Sequence, residues 1–143
     1  MGVFRDSQQF YECVGELMDR AKKDPQVGPK IAQSRIVIQF QYTEPEAVTT
    51  VNARSVPTQP GAFVDVIHGP CDLVPDVIMS MKADTANAFW HGKVNLVAAL
   101  SRKEIMAKGP ILKILRLLPA VQLLYSVYPA LLKEKGFTAL ILN

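Results

Sequence analysis

The amino-acid sequence predicts a single α+β domain in which helices cover one face of a β-sheet. The chain has 143 residues, which is the usual length of one domain. Hydrophobic residues make up 49% of it and charged residues 20%, so a core can form and a disordered chain is excluded. Strand-like patterns mostly precede helical ones along the chain, and this order is typical of α+β layers.

One helix and four strands are predicted for the first half. The helix covers residues 7–23, where apolar side chains recur at helical spacing, and the residue before Pro25 ends it. Residues 26–33 are expected to form a loop or a short helical turn. The four strands are short apolar or β-branched runs between turn residues. They are expected at residues 36–42, 47–54, 63–68 and 73–82.

Two short helices and a fifth strand are predicted next. Asp84 is expected to cap a helix over residues 85–91, since its side chain can accept from first-turn amides. Asn95 is expected to cap a second helix over residues 96–101. The fifth strand is expected over residues 104–108.

The C-terminal segment, residues 110–135, is predicted to be helical but broken. Pro119 and Pro129 each remove a backbone donor, so breaks are expected near Leu118 and Tyr128. The segment is more apolar than a surface helix requires. Within residues 110–132, Pro119 and Pro129 together with the cations Lys113 and Arg116 argue against a membrane-spanning helix. Deep burial, a hydrophobic ligand and a partner surface are the alternative explanations.

The composition argues against several function classes. The net charge is only +3 without a basic stripe, so no nucleic-acid partner is expected. Two cysteines and two histidines give neither a disulfide framework nor a metal-ligand spacing, and the isolated glycines fit no phosphate loop. No metal or cofactor is therefore expected. No signal-peptide pattern is present, so a cytoplasmic location is expected.

A cysteine–histidine pair is the strongest catalytic candidate in the sequence. His68, Cys71 and Asp72 lie close together around a turn, and a base must reach the thiol within hydrogen-bond distance. No nucleophile motif accompanies them, so a surface turn with an inert cysteine is the simpler interpretation. We expect no catalytic residue, and an enzyme that uses Asp65, His68 or Cys71 is the alternative.

Residues 76–118 resemble the sterol carrier protein type 2 family of small lipid-binding domains. The similarity lies in the order of an apolar strand, two short helices, a second apolar strand, a glycine and a long helix. Leu96 replaces a proline of the family pattern, and Lys103 replaces a glycine. The matching segments are VIMSM at 77–81, FWHGK at 89–93, Asn95-Leu96, KEIMAKG at 103–109 and ILKILRLL at 111–118.

The resemblance implies a five-stranded, mostly antiparallel sheet with helices on one face and an apolar tunnel between them. The whole chain, residues 1–143, would be one lipid-binding domain that is not an enzyme. The tunnel would bind, and the protein would transfer, a sterol, fatty acid, acyl-CoA or phospholipid. The C-terminal Leu-Ile-Leu-Asn lacks the peroxisomal signal of animal members, which favours a bacterial-type stand-alone protein. The residues expected to contact the lipid are Ile36, Ile38, Phe40, Tyr42, Val77, Met79, Met81, Phe89, Trp90, Ile105, Leu112, Leu115 and Leu118.

The partner expected from the resemblance is a hydrophobic lipid, together with a transient contact to a membrane surface. Residues 120–132 are expected to act as a lid over the tunnel. The alternative is an interaction or dimerisation module that docks to a partner enzyme through its apolar C-terminal surface. A homodimer would then use Tyr125, Tyr128 and Leu132 as its interface.

Overall fold

The structure is a computed structural model that describes residues 2–143. It contains one five-stranded sheet. The strand order is β3-β2-β1-β4-β5, and every neighbouring pair is antiparallel except β1 and β4, which are parallel. The expected five-stranded, mostly antiparallel sheet is confirmed. The strands are β1 (Val37–Thr43), β2 (Ala47–Asn52), β3 (Asp65–His68), β4 (Val77–Lys82) and β5 (Ile105–Lys108).

The parallel pair requires a crossover between β3 and β4. Residues 69–76 return along the sheet before β4 begins, so the predicted start of this strand at residue 73 is four residues too early. The crossover passes over the face that carries Thr50, because Cys71 Sγ donates to Thr50 Oγ1 at 3.4 Å. Asp76 N then donates to Val37 O at 2.8 Å and brings β4 beside β1.

The helices lie on the opposite face of the sheet. The predicted helix over residues 7–23 is a continuous helical stretch with a wider π segment, Tyr11–Gly15, between its two α-helical parts. A short α-helix forms at Gly28–Gln33, so the helical alternative of the two expected for residues 26–33 is correct. The α-helices are α1 (Ser7–Phe10), α2 (Glu16–Ala21), α3 (Gly28–Gln33), α4 (Ala83–Trp90), α5 (Leu96–Ser101), α6 (Ile111–Leu115), α7 (Leu118–Val121) and α8 (Val127–Glu134).

One of the two predicted helix caps is correct. Asn95 Oδ1 accepts from Ala98 N at 3.0 Å and caps α5, as expected. The prediction for Asp84 is wrong, because α4 begins one residue before it. Asp84 lies in the first turn of α4, and its Oδ1 accepts from Val3 N at 2.9 Å instead.

The C-terminal segment is broken twice. Pro119 and Pro129 each lie in the first turn of a helix, α7 and α8, where a missing N–H removes no helical hydrogen bond. Gln122–Leu124 is a short 3₁₀ helix, and the chain bends by 47° between Ile111–Leu124 and Val127–Glu134. Among residues 2–143 no single helix is long and apolar enough to cross a membrane, and this bent pair would qualify only by length and composition.

Deep burial explains most of the apolar character of this segment. Tyr128, Leu131 and Leu132 have no exposed surface, and Ala120 and Leu124 are almost fully buried. Leu124, Tyr128, Leu131 and Leu132 pack in the core formed by α1, α2 and the inner face of β1–β3. This packing argues against residues 120–132 as a lid and removes Tyr128 and Leu132 as exposed dimer-interface residues.

Candidate functional site

An apolar cavity of about 70 Å³ lies between the inner face of the sheet and helices α4–α7. Strands β1, β4 and β5 form its floor, and the four helices form its walls and roof. Members of both clusters of buried side chains that make up the core line it. The cavity is lined by Ile38, Phe40, Tyr42, Met79, Met81, Phe89, Trp90, Leu96, Ile105, Ile114, Leu117, Leu118 and Val121.

Strand register brings the floor of the cavity together. Met79 lies opposite Phe40 in the parallel β1–β4 pair, and Met81 lies opposite Tyr42. Ile105 pairs with Met81 from the antiparallel β5. Since side chains alternate between the two faces of a strand, all five project to the same side. Two methionines among aromatic rings make a floor that can adapt its shape.

A tight turn places the aromatic wall. Gly92 adopts a left-handed φ of 74° after α4, and a Cβ there would lie 3.0 Å from Tyr125 Cδ2. Phe89 and Trp90 occupy the last turn of α4 and pack edge-to-face with ring centroids 5.0 Å apart. Tyr125 packs against both rings, at 5.8 Å from Phe89 and 6.5 Å from Trp90. The turn therefore holds the aromatic group between the cavity and the C-terminal segment.

Nine of the thirteen predicted contact residues line the cavity, and whether they contact a ligand stays a prediction. Two of the other four, Ile36 and Val77, are buried on the same face of the sheet. They belong to a closely packed cluster of core side chains and do not line the cavity. Leu115 packs beside that cluster. Leu112 is 69% exposed, because the turn of α6 directs Ile114 inward instead. The nine are Ile38, Phe40, Tyr42, Met79, Met81, Phe89, Trp90, Ile105 and Leu118.

The sequence interpretation missed four lining residues: Leu96, Ile114, Leu117 and Val121. Three of them recur at i, i+3 and i+7, which is one face of a helix. That spacing runs across the break before Pro119, so it is not apparent when residues 111–118 and the residues after Pro119 are considered as separate helices. Leu96 follows the cap of α5 directly and points inward from its first turn.

No charged side chain lines the cavity within the part of the chain that the structure describes. Its only ionisable group is the Tyr42 phenol, and burial raises the pKa of that phenol, so it stays neutral. An apolar wall without charges cannot activate a nucleophile or move a proton between paired groups. The cavity suits an apolar guest.

The cavity is small for a ligand site. Pockets for drug-sized ligands enclose roughly 300–1,000 Å³, whereas this one encloses about 70 Å³. The tunnel implied by the resemblance is therefore not shown. An apolar guest of lipid size could enter only if part of the wall moved.

The cysteine–histidine pair is not assembled. Thr49 and Thr50 are neighbours on β2 and project to opposite faces of the sheet. His68 Nδ1 lies 3.1 Å from Thr49 Oγ1, whereas Cys71 donates to Thr50 on the other face. The sheet therefore separates the imidazole from the thiol. His68 Nε2 lies 3.1 Å from Asp19 Oδ2, which ties β3 to α2.

Two other potentially reactive groups, the carboxylate of Asp65 and the thiol of Cys13, are held within the folded structure. Asp65 accepts from the backbone and hydroxyl of Thr58 and from Gln59 N, at 2.8–3.1 Å, and so holds the loop before β3. Burial alone would raise the pKa of Asp65, but these hydrogen bonds outweigh it and lower the pKa below 3.8. Burial raises the pKa of the Cys13 thiol to about 12, so it is not a nucleophile. Residues 2–143 contain no group of three or more His, Cys, Asp or Glu side chains suited to a metal ion.

The fold is similar to that of solved sterol carrier protein domains. The sterol carrier protein domain 2 of Helicoverpa armigera has a TM-score of 0.61 and 17% identity, over 85% of this chain and 90% of that one. Sterol carrier protein 2 from Yarrowia lipolytica, in its apo form, has a TM-score of 0.55 and 14% identity, over 81% and 87%. The ubiquinone synthesis protein UbiJ-SCP2 has a TM-score of 0.53 and 17% identity, over 76% and 84%.

No protein-family model matches the sequence, and no curated protein is significantly similar to it. The structural likeness nevertheless spans most of this chain and most of each compared domain. The chain therefore has the fold of the sterol carrier protein 2 domains.

Proposed function

We propose that this protein binds a single hydrophobic lipid in the cavity between its sheet and helices α4–α7, without catalysing a reaction, and carries it within the cytoplasm. The observation that supports this proposal is the uncharged and almost entirely apolar lining of the cavity. Two of the solved structures that share the fold are named as sterol carrier proteins, which points to the same class of guest. Sterols, fatty acids, acyl-CoA esters and phospholipids are the candidate lipids.

Binding on this proposal requires the wall formed by α6 and α7 to move outward. These two helices have five and four residues, and helices this short depend on packing for their stability. Ile111 and Leu112 on α6 are exposed, whereas Leu124 and Tyr128 further along are buried. The moving part is thus residues 110–121, which include α6 and α7, and not the buried stretch of residues 124–132.

The affinity expected for such a site is modest. A lipid of about 28 heavy atoms that gains roughly 0.3 kcal/mol per atom binds with about 8 kcal/mol, a micromolar dissociation constant. Opening the wall weakens binding further, because contacts of α6 and α7 with the core must be broken before the lipid enters. A carrier must also release its lipid, and an affinity in this range permits release.

Trp90 provides the test, because it is the single tryptophan of the chain and lines the cavity. Protein freed of lipid is titrated with oleic acid while Trp90 emission is recorded, with acetate as the control for the carboxylate alone. We expect oleic acid to change the emission with a micromolar midpoint and one lipid per chain by native mass spectrometry. Hydrogen exchange of residues 110–121 should slow when the lipid is bound.

Two results would overturn the proposal. One is the absence of binding to oleic acid and to a sterol probe alike. The other is binding, detected by mass spectrometry, that leaves the emission and anisotropy of Trp90 unchanged. The alternative of a docking module predicts neither lipid binding nor a change in Trp90 emission. Its expected interface residues Tyr128 and Leu132 are buried within the protein.

A further inference from the structure

A second concave feature lies on the outer side of the α6–α7 wall. It is a groove of about 610 Å³ between the end of α3 and the helices α6 and α7. Four cations line it, Lys30 and Arg35 from one side and Lys113 and Arg116 from the other. All four residues are exposed, and no acidic residue is among the lining residues.

The four cations are not neutralised within the protein. None of them forms a salt bridge with any other residue that the structure describes. Lys113 is among the charges that act on Asp76, whose pKa is lowered chiefly by a hydrogen bond from Arg54. Asp76 is paired with Arg54 and lies outside the groove. The groove therefore presents a concentrated positive charge to solvent.

The polar groups at the end of α3 do not offset this charge. Ser34 Oγ donates to Ile31 O at 2.6 Å, and Arg35 N donates to Ala32 O at 3.3 Å. These carbonyl groups at the helix end are thus already engaged. The polar side chains that remain free in the groove are the four cations and the uncharged amide of Gln33.

An exposed leucine accompanies the cations on α6. A helix turns by about 100° per residue, so Leu112, Lys113 and Arg116 share the side of α6 that faces away from the buried Ile114. Leu112 is exposed and contributes little to the core. A leucine among cations suits the boundary between headgroups and acyl chains, where the apolar group is buried and the cations meet anionic headgroups. A soluble anion would use the cations but not the leucine.

We propose that this basic groove docks the protein onto an anionic lipid bilayer. Lys30, Arg35, Lys113 and Arg116 contact the phosphate groups of the headgroups, and Leu112 inserts into the bilayer surface. Leu117 lines both the groove and the apolar cavity, so docking places the bilayer against the cavity wall. The docking itself does not depend on whether the cavity binds lipid.

The test is sedimentation of the full chain, without added cavity ligand, with vesicles of phosphatidylcholine that contain phosphatidylglycerol. Vesicles of phosphatidylcholine alone are the lipid control. The groove variant carries Lys113→Gln and Arg116→Gln, and the matched control carries Lys133→Gln and Lys135→Gln. Each pair of changes removes two positive charges from the net charge of +3, and all four residues are exposed. Circular dichroism verifies that both variants are folded.

We expect the wild-type protein to bind the anionic vesicles at low salt and to be released by sodium chloride. The groove variant should bind roughly 25-fold more weakly, from roughly fivefold for each cation. The matched control should lose far less, and Leu112→Gln should weaken binding without changing the net charge. Equal losses in both charge variants would show that only net charge matters and would refute the proposal.

Three further outcomes would also overturn it. The first is wild-type protein that binds neither kind of vesicle, and the second is equal binding to both. The third is release by inorganic phosphate at an ionic strength where sodium chloride has no effect, which would make the groove a site for a soluble phosphate. Oleic acid binding followed by Trp90 emission is measured separately, so failure of docking and failure of lipid binding can be distinguished.

Discussion

Filling the cavity from its helical wall provides the sharpest test of where a lipid binds. Val121 lies on α7 and lines the cavity, and phenylalanine has four more side-chain carbons than valine. Val97 lies on α5, is 60% exposed and does not line the cavity. Val121→Phe and Val97→Phe therefore make the same chemical change inside and outside the site.

The expected effect on affinity follows from the lost contacts. If the added ring excludes four methylenes of the lipid, each worth about 0.8 kcal/mol, binding weakens by about 3 kcal/mol. This loss corresponds to roughly a hundredfold increase in the dissociation constant. The expected effect on folding is smaller. A cavity of about 70 Å³ can accept part of the ring, so overpacking should cost less than about 2 kcal/mol of the free energy of unfolding.

Oleic acid titrations followed by Trp90 emission measure the affinity, and urea denaturation measures the stability of both variants. We expect Val121→Phe to be folded and to bind at least tenfold more weakly, with Val97→Phe close to the wild type. A folded Val121→Phe variant that binds oleic acid as tightly as the wild type would place the lipid elsewhere and refute the assignment of the cavity.

Three other substitutions test the structural roles assigned above. Asp65→Asn should lower the free energy of unfolding at pH 7 by about 1–3 kcal/mol, because it weakens hydrogen bonds to a charged acceptor. The pKa of Asp65 is lowered by folding, so its contribution is present above pH values near 3.8 and is lost as the pH falls through the folded-state pKa. Urea denaturation should show the difference from wild type narrowing in acid, and a constant difference would contradict this role. Cys71→Ala should change stability and oleic acid binding by less than about 0.5 kcal/mol, whereas rapid alkylation of this thiol near pH 6 would revive a catalytic role. Tyr128→Phe should cost about 1–3 kcal/mol, because it removes a 2.7 Å hydrogen bond to the buried Asn87 Oδ1; a thermal midpoint equal to that of the wild type would argue that this bond contributes nothing.

Features that depend on a few neighbouring residues could be predicted from the sequence. The alternation of β1 identified which of its side chains face the core, and Asn95 identified the start of α5. Pro119 located a helix break to within about three residues, because a proline ring acts on the turn that precedes it. The same local patterns identified nine of the thirteen predicted contact residues as cavity lining.

Features that depend on distant partners were decided only by the tertiary structure. The parallel pairing of β1 with β4 follows from the crossover at residues 69–76, and nothing within either strand specifies that partner. The same crossover carries Cys71 to the face of the sheet opposite His68, which a separation of three residues in the sequence conceals. Burial of Tyr128 and Leu132 and exposure of Leu112 likewise depend on which elements pack against each helix. An apolar pattern shows that a face will be covered, but only long-range packing selects what covers it and whether a space is left.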